Sequence, residues 1–321
     1  MSSKPLVSNI IIFLNGEQFI QEAIESAIAQ TYEHWELLLV DDGSSDRSTK
    51  IARAYTEQYP QKVRYLHHAN HENRGMSASR NLGISNALGE YIAFLDADDV
   101  WLPHKLESQL AIMDAQPEVA MLYGSTQLWY SWTGNREDIQ RDFVPSSGVG
   151  VNTIFRPPTL LNLMVQRKAT SPCPSSILVR REAIEKVGGF EERFRGMYED
   201  QVFCTKMFLS TPVFVASECW GRYRQHPASC YSIAKSTGER DMARLFFLNW
   251  LEEYLFKHEV ADTQVWKVLS SELLRYRHPR LYQLLEKFWY RQMKMKQVLL
   301  LGQKKLPAQV LHWLRVKKSR Q

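Results

Sequence analysis

A chain of 321 residues, 44% hydrophobic and 12% aromatic, carries enough apolar material for a large core, which excludes a disordered or fibrous polypeptide. No apolar run approaches the roughly 18 uncharged residues of a membrane span, and MSSKPLVSNIII lacks the basic, apolar and cleavage segments of an export signal, so a cytoplasmic protein is expected. The net charge of +5 hides an asymmetry: from Arg275 onward thirteen Lys or Arg stand against Glu286 alone, a net +12, which leaves −7 on the preceding chain.

The first apolar run, VSNIIIFLN (Val7 to Asn15), is nearly continuous and suits a strand covered on both faces. EQFIQEAIESAIAQ then sets Phe19, Ile20, Ala23, Ile24, Ala27 and Ile28 on one stripe of a helix. WELLLV (Trp35 to Val40) is a second buried strand, closed by the turn chemistry of DDGSSD, where Ser45 or Asp46 can cap the next helix. VRYL (Val63 to Leu66), the helix SASRNLGISNAL and the strand YIAFL (Tyr91 to Leu95) continue the alternation. Strands separated by helices imply a mostly parallel sheet with right-handed crossovers, an α/β fold of Rossmann-like kind. After about Gly124 the pattern loosens into STQLWYSWTGNRED and a polar stretch to Pro158, which reads as an insertion or loop region. SSILVR restores a strand, a short helix ends at Gly188 and Gly189, and MYEDQVFCTKMFL suits a helix opening near Glu199 and Asp200. Beyond about Ser236 the chain reads helical, so residues 1–235 are expected to form the main α/β domain and 236–321 a basic helical extension.

In such sheets ligands bind beyond the carboxyl ends of the strands, and Asn15, Asp41 with Asp42, and Asp96 to Asp99 all stand at predicted strand ends. FLDADDVW crowds three carboxylates into four positions, which is tolerable beside a bound cation. No G-x-G-x-x-G follows a strand, and neither G-x-x-x-x-G-K-[ST] nor G-x-S-x-G occurs, which argues against dinucleotide oxidoreductases, P-loop NTPases and α/β-hydrolases. Carboxylates at strand ends suit Mg²⁺ or Mn²⁺, hard cations that share oxygen ligands with substrate phosphates. The cysteines, Cys173, Cys204, Cys219 and Cys230, form no C-x-x-C pair and suggest reduced thiols.

From about Pro5 to His226 the sequence resembles the inverting glycosyltransferases of family 2, which have the GT-A fold. The resemblance rests on an ordered set: VSNIIIFLN, QTYEHWELLLVDDGSSDRS, NRGMSASRNLGI, GEYIAFLDADD, GGFEERF and YEDQVF. It implies that Asp96 and Asp98 hold the metal and the donor diphosphate, Asp98 more directly, and that Asp41 and Asp42 contact base and ribose. It also implies that Asn15 and Arg80, or its neighbour Arg74, contact the nucleotide. The general base falls in the pair Glu199 and Asp200, with Asp200 preferred, and His226 in YRQHPAS is a candidate third metal or diphosphate ligand. Bland readings stand beside these: Asp99 as a helix cap, Glu199 at a helix N-terminus, His226 as structural.

The pattern has departures. Ile12 and Leu14 replace the proline and tyrosine that often end the family's first strand, which leaves the nucleobase open, with a UDP-sugar as the default donor. No Q-x-x-R-W motif occurs, which favours a single-transfer enzyme acting on a glycan, lipid-linked or protein acceptor. Trp129, Tyr130 and Trp132 suit either a sugar-stacking platform or a half-buried strand edge. The basic tail suits an anionic membrane surface on the inner face, a protein partner, or a helical pair with a solvated face, and no nucleic-acid fold accompanies its charge. Two other classes remain: a nucleotidyltransferase, against which the single Gly16 after the first strand argues, and a non-catalytic sugar-nucleotide or membrane-surface binding protein.

Overall fold

The structure is a computed structural model that describes residues 4–287. Its elements begin with β1 (Val7–Phe13), α1 (Ile20–Ile28), β2 (Trp35–Asp41), α2 (Ser48–Gln58), β3 (Val63–His67), α3 (Met76–Asn86) and β4 (Tyr91–Asp96). They continue with β5 (Val100–Trp101), α4 (Lys105–Ala115), β6 (Met121–Trp129), α5 (Arg136–Ile139), β7 (Thr153–Phe155) and α6 (Thr159–Val165). The remainder is β8 (Ile177–Arg180), α7 (Arg181–Val187), α8 (Glu199–Ser210), β9 (Val213–Arg224), α9 (Cys230–Ser236), α10 (Arg240–Lys257) and α11 (Thr263–Arg277). Two compact units divide the chain, Met1–Val268 and Leu269–Gln321, and the described residues of the second are helical but for His278. The part of the basic tail beyond residue 287 lies outside the described residues.

One sheet runs in the order β3-β2-β1-β4-β8-β6-β9-β5, with β7 paired to β9. The long ladders, β1 with β2 and β4, β2 with β3, and β6 with β9, are parallel, whereas β8, β5 and β7 join by short antiparallel ones. β1 and β2 are buried along their whole length, as apolar runs between two helical layers should be. Register matters for the site: Phe13 pairs with Asp41 and Ile12 with Asp96, so the carboxyl ends of β2, β1 and β4 finish level.

Helix α3 lies close on β1 because its inner face is made of small residues. A methyl group on Gly83 would lie 2.6 Å from Ile10 Cγ2, so only glycine permits this approach, and the close packing carries buried Arg80 under the strand ends. Helix α10 presents Arg244, Phe247, Leu248, Leu251 and Leu255 on one buried stripe at helical spacing. Phe247 stacks on Tyr198 and Trp250 meets Phe194 edge-on, so α10 packs beside the entry to α8 within the first unit.

One expectation is corrected. The irregular region begins after Trp129 rather than Gly124: β6 continues to Trp129 and pairs in parallel with β9, a long strand that the sequence pattern does not reveal. In β9, VFVASECWGRYR, polar and apolar positions alternate irregularly, and the register against β6 shifts between Tyr123 and Thr126, which erases the strand periodicity. The aromatic cluster takes the strand-edge reading: Trp129 is buried at the end of β6, and Trp129 and Trp132 lie 4.4 and 5.3 Å from the Arg224 guanidinium.

Candidate active site

The three crowded carboxylates meet three different environments. Asp99 is fully buried; its Oδ2 accepts the Ser175 hydroxyl at 2.6 Å and its Oδ1 accepts the Arg224 backbone N–H at 3.1 Å. Burial, then the charges of Asp98 and Asp96, push its pKa well up. It does not cap α4, since the residue before that helix, His104, makes no side-chain cap and Asp99 is committed to β9. Asp98, half-buried like Asp96, places its Oδ2 2.9 Å from His226 Nε2, and its backbone carbonyl accepts from Arg224 Nε at 2.7 Å. Asp96 Oδ1 accepts from Arg80 Nη2 at 2.6 Å. The same guanidinium places Nη1 2.7 Å from Glu199 Oε2, so one buried cation joins the end of β4 to the start of α8.

The turn into α8 is held in a conformation that only context can impose. Tyr198 has φ 72°, a left-handed backbone that costs a non-glycine residue about 1 kcal/mol or more, and its ring stacks on Phe247 at 5.3 Å and 16°. Glu199 and Asp200 follow at once. Burial pushes Glu199 up to about 8, against the downward pull of Arg80. Burial likewise raises Asp200 to about 6, opposed by the Gln201 N–H, which donates to Asp200 Oδ1 at 2.7 Å, and by Arg80.

At the first two strand ends, Asn15 Oδ1 accepts the Ser45 N–H at 2.8 Å, and Asp42 Oδ1 accepts the N–H groups of Arg74 and Gly75, the two residues before α3, at 2.7 and 3.0 Å. Both residues line a cavity of about 910 Å³ together with Arg80, Asp96, Asp98, Glu199, Asp200 and His226. Asp41 and Arg74 are not brought there. Asp41 is fully buried and accepts from Ser44, Thr49 and Tyr65, with His71 Nε2 at 3.1 Å. Burial works to raise its pKa, but these hydrogen bonds outweigh it and the carboxyl is lowered overall. Arg74 is exposed, with Glu192 at 3.8 Å.

The donor chemistry fits a hard cation at Asp98 and His226, a carboxylate oxygen and an imidazole nitrogen bordering the cavity. A tighter trio, Asp96, Asp99 and Cys173, has ligand atoms within 4.8 Å of one another. It fits less well, because Asp99 is buried with both oxygens already accepting from protein donors, and burial drives the Cys173 thiol pKa well up, leaving a protonated, soft group. Tyr198, Cys173 and Tyr223 also line the cavity; Tyr223 lies on β9, Cys173 sits in a loop with no local signature, and Tyr198 opens the YEDQVF motif, of which only the acidic pair was expected to act.

Residues 8–188, which span β1 to α7 and most of this cavity's strand ends, match the family model described as Glycosyl transferase family 2. The chain is a family 2 glycosyltransferase. A glycosyltransferase of Nostoc sp. is 29% identical over 282 residues, which cover 86% of this chain and 83% of that one. Other curated relatives, from Bacillus and Rickettsia, match over only part of their length, between 17% and 62%. Among solved structures, S. aureus TarS 1–349 with UDP-GlcNAc superposes with a TM-score of 0.58 at 21% identity, covering 84% of this chain and 71% of that one. The mannosyltransferase PcManGT of Pyrobaculum calidifontis, in complex with GDP-Man and Mn²⁺, gives 0.56 at 15% identity over 85% and 70%. These likenesses establish that the glycosyltransferase has the GT-A architecture. Among the described residues no helix is long and apolar enough to cross a membrane.

Proposed function

We propose that this glycosyltransferase moves a sugar from a nucleotide diphosphate donor to an acceptor hydroxyl with inversion at the anomeric carbon. The observation that carries the reading is the sharing of one cavity by the Asp98–His226 pair and by the acidic pair at the start of α8. The donor complexes of the two structural neighbours, with UDP-GlcNAc and with GDP-Man and Mn²⁺, support a nucleotide sugar. Asn15 and Asp42 border the end where the nucleoside would lie. Asp98 and His226, with Asp96 adjacent, would hold Mn²⁺ or Mg²⁺, which stabilises charge on the departing diphosphate when bound.

Asp200 is the base and Glu199 the anchor. Glu199 is buried and committed to Arg80, whereas Asp200 is partly accessible and raised to about 6, close enough to neutrality to accept a proton efficiently. Inversion needs only this one carboxylate to deprotonate the acceptor hydroxyl as its oxygen attacks. A UDP-sugar is the working donor, and a surface glycan or glycoconjugate the working acceptor.

A thermal-shift screen tests the reading, with UDP, GDP, CDP and dTDP, each with and without Mn²⁺ or Mg²⁺, on the wild type and on Asp98→Asn. Ligand at 100 times its Kd stabilises by about 2.7 kcal/mol, a rise of several degrees. The rise should require both metal and one diphosphate and vanish in the variant. No rise with any pair, or an equal rise in Asp98→Asn, sinks the proposed donor site.

A further inference from the structure

We propose that a basic groove beside this cavity binds a phosphate or phosphodiester carried by the acceptor, an inference that rests on the reading of the site as a sugar transferase. The groove encloses about 600 Å³ and is lined by Arg167, Lys168, Arg240 and Arg244 against the single carboxylate of Asp241. Its neighbour has the opposite character: seven carboxylates line the main cavity and Arg80 is their one guanidinium. The acidic compartment calls for a cation, and the basic one for an anion.

The two compartments share a wall. Thr170, Ser171, Tyr198 and Gln201 line both, and the last two flank Glu199 and Asp200 in the chain, so the groove adjoins the turn that carries the proposed base. An anion seated there would present a neighbouring hydroxyl towards the acidic pair.

The groove is built rather than incidental. Arg244 is 3% exposed and donates from Nη2 to the Val165 carbonyl at 2.6 Å. The turn after α6 is fixed by Arg167 in a left-handed conformation, φ 59°, and by the N–H groups of Arg167 and Lys168 donating to Met164 and Leu163 at 2.9 and 2.8 Å. Lys168 and Arg240 are exposed and make no ion pair among the described residues; Arg240 instead lies over the Tyr231 ring at 5.3 Å. At the shared wall the Ser171 hydroxyl is buried with no hydrogen-bond partner among the described residues. Guanidinium, ammonium and hydroxyl donors converging on one groove are the groups that bind phosphate oxygens through short, charge-assisted hydrogen bonds.

The test measures binding of a short soluble glycerol-phosphate oligomer, and of phosphatidylglycerol against phosphatidylcholine vesicles, to the full chain. Each is run with and without the nucleoside diphosphate and Mn²⁺ that fill the donor cavity. Lys168→Gln/Arg240→Gln should weaken binding at least tenfold and keep the nucleotide-dependent thermal shift, whereas Lys50→Gln/Lys186→Gln, which removes two exposed charges elsewhere, should leave both unchanged. Oligomer binding assigns the groove to phosphates of the glycan, and selective binding to phosphatidylglycerol vesicles assigns it to those of a lipid carrier. Equal binding by the groove variant, no binding by the wild type, or loss of binding once the donor cavity is filled overturns the proposal. Failure of the transferase reading is seen separately, as absence of any nucleotide shift, and leaves the comparison of groove variants readable.

Discussion

Replacing Asp200 by Asn removes the proposed base together with a charge that the fold holds at an energetic cost. The carboxyl is raised from an ordinary value of 3.8 to about 6. At 1.36 kcal/mol per unit that is about 3 kcal/mol for a wholly shielded group, and the partial exposure of Asp200 reduces it to between about 1 and 3 kcal/mol. The unfolded chain releases this proton near pH 4 and the folded chain near pH 6, so in that window the folded state binds more protons. Stability therefore falls as pH rises from about 4 to about 6 and stays reduced above. The neutral amide of Asp200→Asn would carry no such penalty, while its side-chain oxygen still accepts from the Gln201 N–H. Thermal melts across pH 4 to 8 should show Asp200→Asn melting above the wild type by about 2–5 °C at pH 8 and level with it at pH 4. Transfer should fall by about 10² to 10⁴, and wild-type kcat/KM should rise with pH through about 6. A variant that melts lower than wild type at pH 8, or transfers sugar at the wild-type rate, would refute the reasoning.

Arg80→Met leaves buried Glu199 and half-buried Asp96 without their shared cation, so urea denaturation should report a loss of about 3–5 kcal/mol at pH 8 and a smaller one at pH 5, where those groups take up protons. An unchanged midpoint at pH 8 contradicts the bridging role of Arg80. Phe247→Leu narrows the surface on which Tyr198 stacks; kcat should drop about tenfold or more while the nucleotide-dependent thermal shift persists, and an unaltered kcat denies that the stack positions the acidic pair.

The amino-terminal half of the fold is legible because its strands are continuous apolar runs and its helices carry one clean stripe. Strand order was not, and it is the register of Ile12 with Asp96 and Phe13 with Asp41 that makes three separate turns into one site. Residue type alone could not separate Asp96, Asp98 and Asp99: adjacent in sequence, they are told apart by long-range partners, Arg80, His226 and Ser175 with Arg224. Asp41 and Asp42 are told apart in the same way. Asp42 reaches the cavity, whereas Asp41 points into a ring of hydroxyl donors that only the folded chain assembles. The second half of the sheet was legible only at β8: β5 and β7 are two and three residues long and β9 alternates irregularly, so neither Tyr223 nor the partner of β6 could be inferred.

Helix α10 also bears on where the catalytic unit ends. Sequence composition suggested a boundary near residue 235, yet the helix that follows supplies Phe247 beneath Tyr198 and Trp250 beside Phe194, and buries Leu248, Leu251 and Leu255. Losing a buried Phe or Trp side chain costs about 3–5 kcal/mol, so two of them already approach the 5–15 kcal/mol that holds a typical domain together. Their loss would also uncover Phe194 and release the left-handed turn at Tyr198 on which Glu199 and Asp200 depend. A chain cut after residue 235 should therefore unfold without a cooperative transition and show no nucleotide-dependent shift. A cooperative melt of the 1–235 fragment with an intact nucleotide shift would make α10 an appendage and remove the Tyr198–Phe247 stack from any account of the site. The expected outcome instead makes part of the helical segment a component of the active site, held there by aromatic packing that composition alone assigns to an extension.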